Sequence, residues 1–468
     1  HHVLRHELVH VFQISKMATV ISRMGRVRWG APPLWFTEGL AEFWSKDWDV
    51  DADMIVKDMV VNDRLLSIHD MYRVQGTYYM YKLGESICTF IDSTYGPDKL
   101  TLIYENLYKG KTFDQVVEIT LGDNLSEVSR KWQYALKKRY YPEFEERGLP
   151  DMESRKVTND GASVKGVPIT WDDGTGKREW IVFKANRMGY SGIYMKPAVG
   201  GDDQVKTLVK GERSSNFESL YLLRSGIDAN DSGIVVFSSK SKENDVIYIY
   251  DLREGKVTRR FEFEGLAATR SPRLSPDGTQ VVFSGVKLGG FADVYVLDLV
   301  NGTYEPILED LYYDTDPSFS HDGDRIIFSS DRAVEGEHGA LNLFSYDLAS
   351  GELTQLTSGA YKDQTPECSQ NGIYFTSDRD GAFNMYLLDS AGAVTRQSTY
   401  VTGAFDPRLS SDGKSLVYTG YQKMGFQVYR MKLLEEPEVF AQEQAKPSLA
   451  LGWQPDYKIG RASCRERV

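Results

Sequence analysis

The sequence predicts a multidomain chain, α plus all-β, in which a mainly helical domain precedes a repetitive β domain. Length is the first reason: 468 residues exceed one ordinary domain, and 41% hydrophobic with 12% aromatic content can fill two substantial cores. Periodicity is the second. Apolar residues recur at helical spacing up to about residue 145, and from about residue 168 they alternate as in half-buried strands. The third is a turn motif that returns at a blade-sized interval.

In the first domain, taken as 1–145, helical spacing runs through Val3 to Met24, Phe36 to Trp44, Tyr78 to Ser93, Lys99 to Leu107 and Leu125 to Tyr140. Thr112-Phe113-Asp114-Gln115 before an apolar run, with Gly122-Asp123-Asn124 after it, predicts a short capped helix. The stretch from Pro142 to Gly166 is polar and weakly periodic, so 146–167 reads as a linker.

The second domain, 168–440, repeats Ser275-Pro276-Asp277-Gly278, Ser320-His321-Asp322-Gly323, Ser369-Gln370-Asn371-Gly372 and Ser411-Asp412-Gly413, with glycines 45, 49 and 41 residues apart. An apolar strand follows each, as in Val281-Val282-Phe283 and Ile326-Ile327-Phe328. Degenerate copies stand at Asp173-Gly174 and Asp231-Ser232-Gly233, and the Asp-Gly and Asn-Gly pairs suit tight hairpins. Six units predict a six-bladed β-propeller whose degenerate first and last units meet at the closure.

Chemistry concentrates in the helical part. His6-Glu7-Leu8-Val9-His10 places two imidazoles four residues apart, hence on one helix face, with Glu7 beside them. A catalytic zinc needs three protein ligands and an open position, and Glu38 in Trp35-Phe36-Thr37-Glu38-Gly39-Leu40-Ala41-Glu42 is the natural third. Only seven histidines occur in the chain, so two at ligand spacing beside a glutamate are unlikely to be incidental.

At these residues the sequence resembles a gluzincin metallopeptidase, of the peptidase MA-like group that includes aminopeptidase N. The resemblance implies a helical zincin (thermolysin-like) catalytic domain lacking its N-terminal sheet, since the chain begins inside the expected catalytic helix. It implies Zn2+ on His6, His10 and Glu38, with Glu7 as general base and Glu42 orienting a ligand histidine from behind. Tyr81, in Tyr81-Lys82-Leu83-Gly84, is similar to the tyrosine that donates a phenol to the tetrahedral intermediate. The reaction implied is peptide-bond hydrolysis through a metal-activated water. The repeats resemble the TolB-type propeller, with Asp316-Pro317, Ser330-Asp331-Arg332, Ser377-Asp378-Arg379 and Asp406-Pro407 as blade signatures. In structure these recurring Asp, Ser and Arg residues are expected to serve turns and hydrogen bonds between blades.

A net charge of −12 with no long basic run argues against nucleic acid or an anionic membrane surface as the main partner. No stretch approaches eighteen consecutive apolar residues, so no membrane span is expected. Cys88, Cys368 and Cys464 are scattered and form neither a metal spacing nor a disulfide framework. Residues 441–458 read as a tail. Residues 459–468 back-translate to a sequence similar to sequencing-adapter DNA and are set aside, with Cys464, from fold reasoning.

The expected function is therefore a zinc peptidase acting on a peptide or protein substrate, with the propeller recruiting or gating proteins and a protein partner conceivable at its channel. Family resemblance places it in the periplasm or outside the cell. The alternative is a non-catalytic, TolB-like protein-binding scaffold with an inactive metal site. A prolyl oligopeptidase-like serine enzyme also carries such a propeller but needs a Gly-x-Ser-x-Gly elbow, which is absent from this sequence.

Overall fold

The computed structural model describes residues 2–440 except 25–30, 188, 202, 203, 214, 215, 333–339 and 436. The tail at 441–458 and the segment 459–468, including Cys464, lie outside the described residues. The chain divides into two units at Glu146 and Arg147.

The first unit is helical: α1 (His2–Met24), α2 (Leu34–Ser45), α3 (Val50–Val61), α4 (Tyr78–Tyr95), α5 (Lys99–Glu105), α6 (Phe113–Leu121) and α7 (Leu125–Glu146), with 3-10 turns at Ile68–Val74 and Leu107–Lys109. Thr112 caps α6 by accepting from the Gln115 N–H, and Gly122 ends it in the left-handed region at φ 82°, as its flanking residues predict. Helix α1 turns His6, Val9, Gln13 and Val20 inward along one stripe. It leaves Val3, Leu4, Leu8, Val11, Phe12 and Ile14 exposed, an apolar surface large for one helix.

Helix α3 has no counterpart in the sequence reading. Its Asp53 and Lys57 are buried, 3.0 Å apart, and Lys57 also meets Glu143 of α7 at 2.7 Å while Tyr140 donates to Asp53 at 2.7 Å. Charged residues placed on the inside erase the amphipathic period by which such a helix is recognised. Helix α7 also runs through Pro142 to Glu146, so the polar stretch expected to be linker begins as helix.

The second unit is a six-bladed propeller: among the described residues, six antiparallel sheets spanning 162–210, 227–262, 266–306, 314–355, 363–396 and 403–432. The expected linker belongs to it. Arg155–Lys156 pairs with Tyr429 and Arg430 as the outermost strand of the sixth blade, and the first blade starts at Ala162. A two-residue, fully exposed strand shows no alternation, which is why the sequence read it as linker. The Glu438–Val439 segment adds a fifth strand to the fifth blade. First and last blades meet through Val157, Ile181, Phe183, Val417 and Val428, as the degenerate end units predict.

The repeated residues form turns and braces. Ser275 donates to Asp277 at 2.6 Å and Ser410 to Asp412 at 2.6 Å, each turn closing on a left-handed glycine. Arg379 reaches both oxygens of Asp363 at 2.8 and 2.9 Å inside one blade, a correction to the expectation that these arginines link blades. The Asp-Pro positions do link blades: Ser271 donates to Asp316 at 2.8 Å and Lys165 to Asp406 at 2.5 Å. Lys165, Ser271, Asp316, Thr365 and Asp406 all adopt φ of 49–56° and line one cavity with Arg273 and Arg408. Both arginines are paired: Glu367 lies 2.7 Å from Arg273 and 3.1 Å from Arg408, which also meets Asp228 at 3.1 Å.

Candidate metal centre

Helix α1 stacks His6 and His10 one turn apart, and α2 brings Glu38 to them. The three donors form a triangle: His6 Nε2 to His10 Nε2, His6 Nε2 to Glu38 Oε2, and His10 Nε2 to Glu38 Oε2 are each 3.2 Å. A tetrahedral ion bound at about 2.0 Å spaces its ligands by about 3.3 Å, so these side chains could hold a metal ion without rearrangement. Glu7 is exposed on α1 and free of the ligand cluster.

The far side of each ring faces a polar group: His10 Nδ1 bonds Gln13, whereas His6 Nδ1 comes within ion-pair reach of a carboxylate without forming a hydrogen bond. His6 Nδ1 lies 3.1 Å from Glu42 Oε1, the carboxylate expected behind a ligand. Lys82 donates to the other Glu42 oxygen, and Glu85 stands 3.4 Å beyond. Burial pushes Glu42 up, but the hydrogen bond from Lys82 and the charges of Lys82 and Lys46 outweigh it and hold the carboxyl below its usual range. Burial likewise raises Glu85, to about 7, against the pull of Lys82. His2 Nε2 also approaches Glu42, at 3.6 Å, giving a second cluster of His2, His6 and Glu42. With an ammonium already on Glu42, that cluster is a poor place for a second cation.

The Tyr81 ring lies 6.1 Å from the His6 ring. Burial, then the negative charges of Glu38, Glu42 and Glu7, raise its pKa, so the phenol stays protonated and remains a donor. All six residues singled out in the sequence therefore fall on the α1, α2 and α4 elements that build this one centre. Sequence reasoning missed Gln13, which bonds His10 Nδ1 at 2.9 Å, and Lys82. Both were within reach of it: Gln13 lies three residues after His10 on the same face, and Lys82 sits inside the quoted tyrosine segment.

A family model described as the TolB beta propeller domain matches residues 225–337, which lie within the propeller. The Tol-Pal system protein TolB of Francisella tularensis subsp. holarctica (strain OSU18) is 31% identical over 152 residues, 32% of this chain and 34% of that protein. Its counterpart from subsp. mediasiatica (strain FSC147) is 30% identical over the same length and shares. The chain thus spans 34% of the length of these curated relatives. Among solved structures, the putative TolB from Agrobacterium tumefaciens is 18% identical with a TM-score of 0.40, covering 57% of this chain and 90% of that one. The class these observations define is a chain with a TolB-type six-bladed propeller domain. Preceding that domain is a helical unit, whose reading rests on its own residues.

Proposed function

We propose that the chain is a zinc-dependent peptidase whose propeller recruits or restricts protein substrates. The observation that carries this reading is the 3.2 Å triangle of two imidazole nitrogens and one carboxylate oxygen, which no fourth ligand joins among the described residues, the donor set of a catalytic rather than a structural zinc. A zinc ion there supplies Lewis acidity and lowers the pKa of water toward 7. Glu7, exposed and adjacent in sequence to His6, takes a proton and returns it to the leaving amine. Tyr81 donates its phenol hydrogen to the charge that develops on the substrate carbonyl oxygen.

A second reading has its own support. The curated relatives that this chain matches are named for the Tol-Pal system, which favours a protein-binding role for the TolB-type propeller. On this reading the chain is a scaffold whose metal centre turns nothing over. Either reading is compatible with a periplasmic or extracellular setting. The distinguishing experiment incubates the full chain with casein and quenched-fluorescent peptides, with zinc and after chelation. Hydrolysis that stops on chelation and returns with zinc supports the peptidase; partner binding with no hydrolysis under either condition supports the scaffold.

A further inference from the structure

We propose that Gln13 is a positioning residue of this centre: it holds His10 in the tautomer whose Nε2 is free to bind a metal and ties that ring to the backbone beside Glu38. The inference rests on the zinc reading above. Gln13 is 3% exposed and its amide spans the two ligand helices, meeting His10 Nδ1 through Oε1 at 2.9 Å and the Thr37 carbonyl oxygen through Nε2 at 2.9 Å.

The chemistry of the partners fixes the direction of both bonds. A backbone carbonyl only accepts, so the amide nitrogen must face Thr37 and the amide oxygen must face His10. That oxygen also only accepts, so His10 Nδ1 carries the proton. Its Nε2 then keeps a lone pair, aimed at the triangle with His6 and Glu38. The reversed amide would set two acceptors against each other at Thr37 in a buried site, which is costly. Thr37 immediately precedes Glu38, so one side chain aligns a ligand on α1 with a ligand on α2. His6 is served differently, by a charged carboxylate that Lys82 in turn holds.

The test is zinc affinity of the full chain, measured by competition with a chromogenic chelator, for wild type, Gln13→Met and Gln13→Glu. Met fills the space without an acceptor and should weaken zinc by roughly 10- to 100-fold, the usual effect of losing such an outer partner. Glu keeps an acceptor for His10 but sets a second oxygen against the Thr37 carbonyl, so it should recover part of the affinity lost in Gln13→Met, a pattern that a packing role does not produce. Metal-free melting of each variant reports folding. If Gln13→Met does not fold, Gln13→Leu, which offers neither an acceptor nor a charge, makes the same comparison with Gln13→Glu. Wild-type affinity in Gln13→Met, or Gln13→Glu falling as far as the variants without an acceptor, overturns the positioning role while leaving zinc binding intact. A wild-type chain that binds no zinc removes the zinc reading itself, and this role with it.

Discussion

Gly39 and Gly84 pass each other with no side chain between them: a methyl group on Gly39 would lie 2.2 Å from the Gly84 carbonyl carbon, and one on Gly84 would lie 2.4 Å from the Trp35 carbonyl oxygen. Helices α2 and α4 therefore cross backbone to backbone. Gly39 follows Glu38, and Gly84 lies two residues beyond Lys82, so this close approach holds Glu38, Glu42, Tyr81 and Lys82 in one centre. Gly39→Ala should cost about 1–3 kcal/mol, the usual range for overpacking, because backbone cannot rotate out of the way. It should also weaken zinc by displacing Glu38. Urea denaturation and zinc titration check both, and unchanged values would mean that the crossing is looser than described.

Glu7→Gln separates base from ligand. The variant should keep zinc affinity, since Glu7 is no member of the triangle, and lose peptide hydrolysis by about 10²–10⁴-fold. Equal turnover in the two proteins would reject Glu7 as the base.

In the propeller, Arg379 is buried against Asp363, which is itself fully enclosed. Arg379→Met strands that carboxylate and should destabilise the propeller by roughly 3–5 kcal/mol. Adding Asp363→Leu removes the stranded charge and should recover part of the loss. A double variant no more stable than the single one would show that packing of the arginine over Tyr361, Phe375 and Tyr386 matters more than its charge.

Lys184 gives a pH test. Its ammonium is fully buried and, among the described residues, donates to the Leu220 and Ser225 carbonyl oxygens, and burial, reinforced by Lys165, lowers its pKa to about 7. Between about 7 and the ordinary lysine value of about 10.4 the unfolded chain binds the extra proton, so stability must rise with pH across that window, by up to about 1.4 kcal/mol per pH unit. Below it both states are charged and the full penalty applies. Lys184→Met should flatten that slope in urea titrations from pH 7 to pH 10, and parallel profiles would contradict the assignment.

The residues of the proposed centre were legible in the sequence because each stands at a fixed spacing. His6 and His10 sit one helical turn apart, and Glu38 and Glu42 repeat that interval on α2. The blades were legible because a Ser-Asp-Gly turn needs the same residues each time. What escaped was buried polarity and short pairing: Asp53 and Lys57 disguise α3, and Arg155–Lys156 completes a blade with too few residues to show a period. Gln13 escaped because an amide bridge depends on Thr37, 24 positions away in the chain. The spacing of three to His10 shows one half of the bridge and nothing of the half that reaches Thr37.

Whether His6, His10 and Glu38 hold one zinc ion is decided by anomalous diffraction at the zinc edge from zinc-loaded crystals of the full chain. A single strong peak is expected about 2.0–2.2 Å from His6 Nε2, His10 Nε2 and a Glu38 carboxylate oxygen. A peak on other residues, or crystals that take up no zinc at this centre, would contradict it.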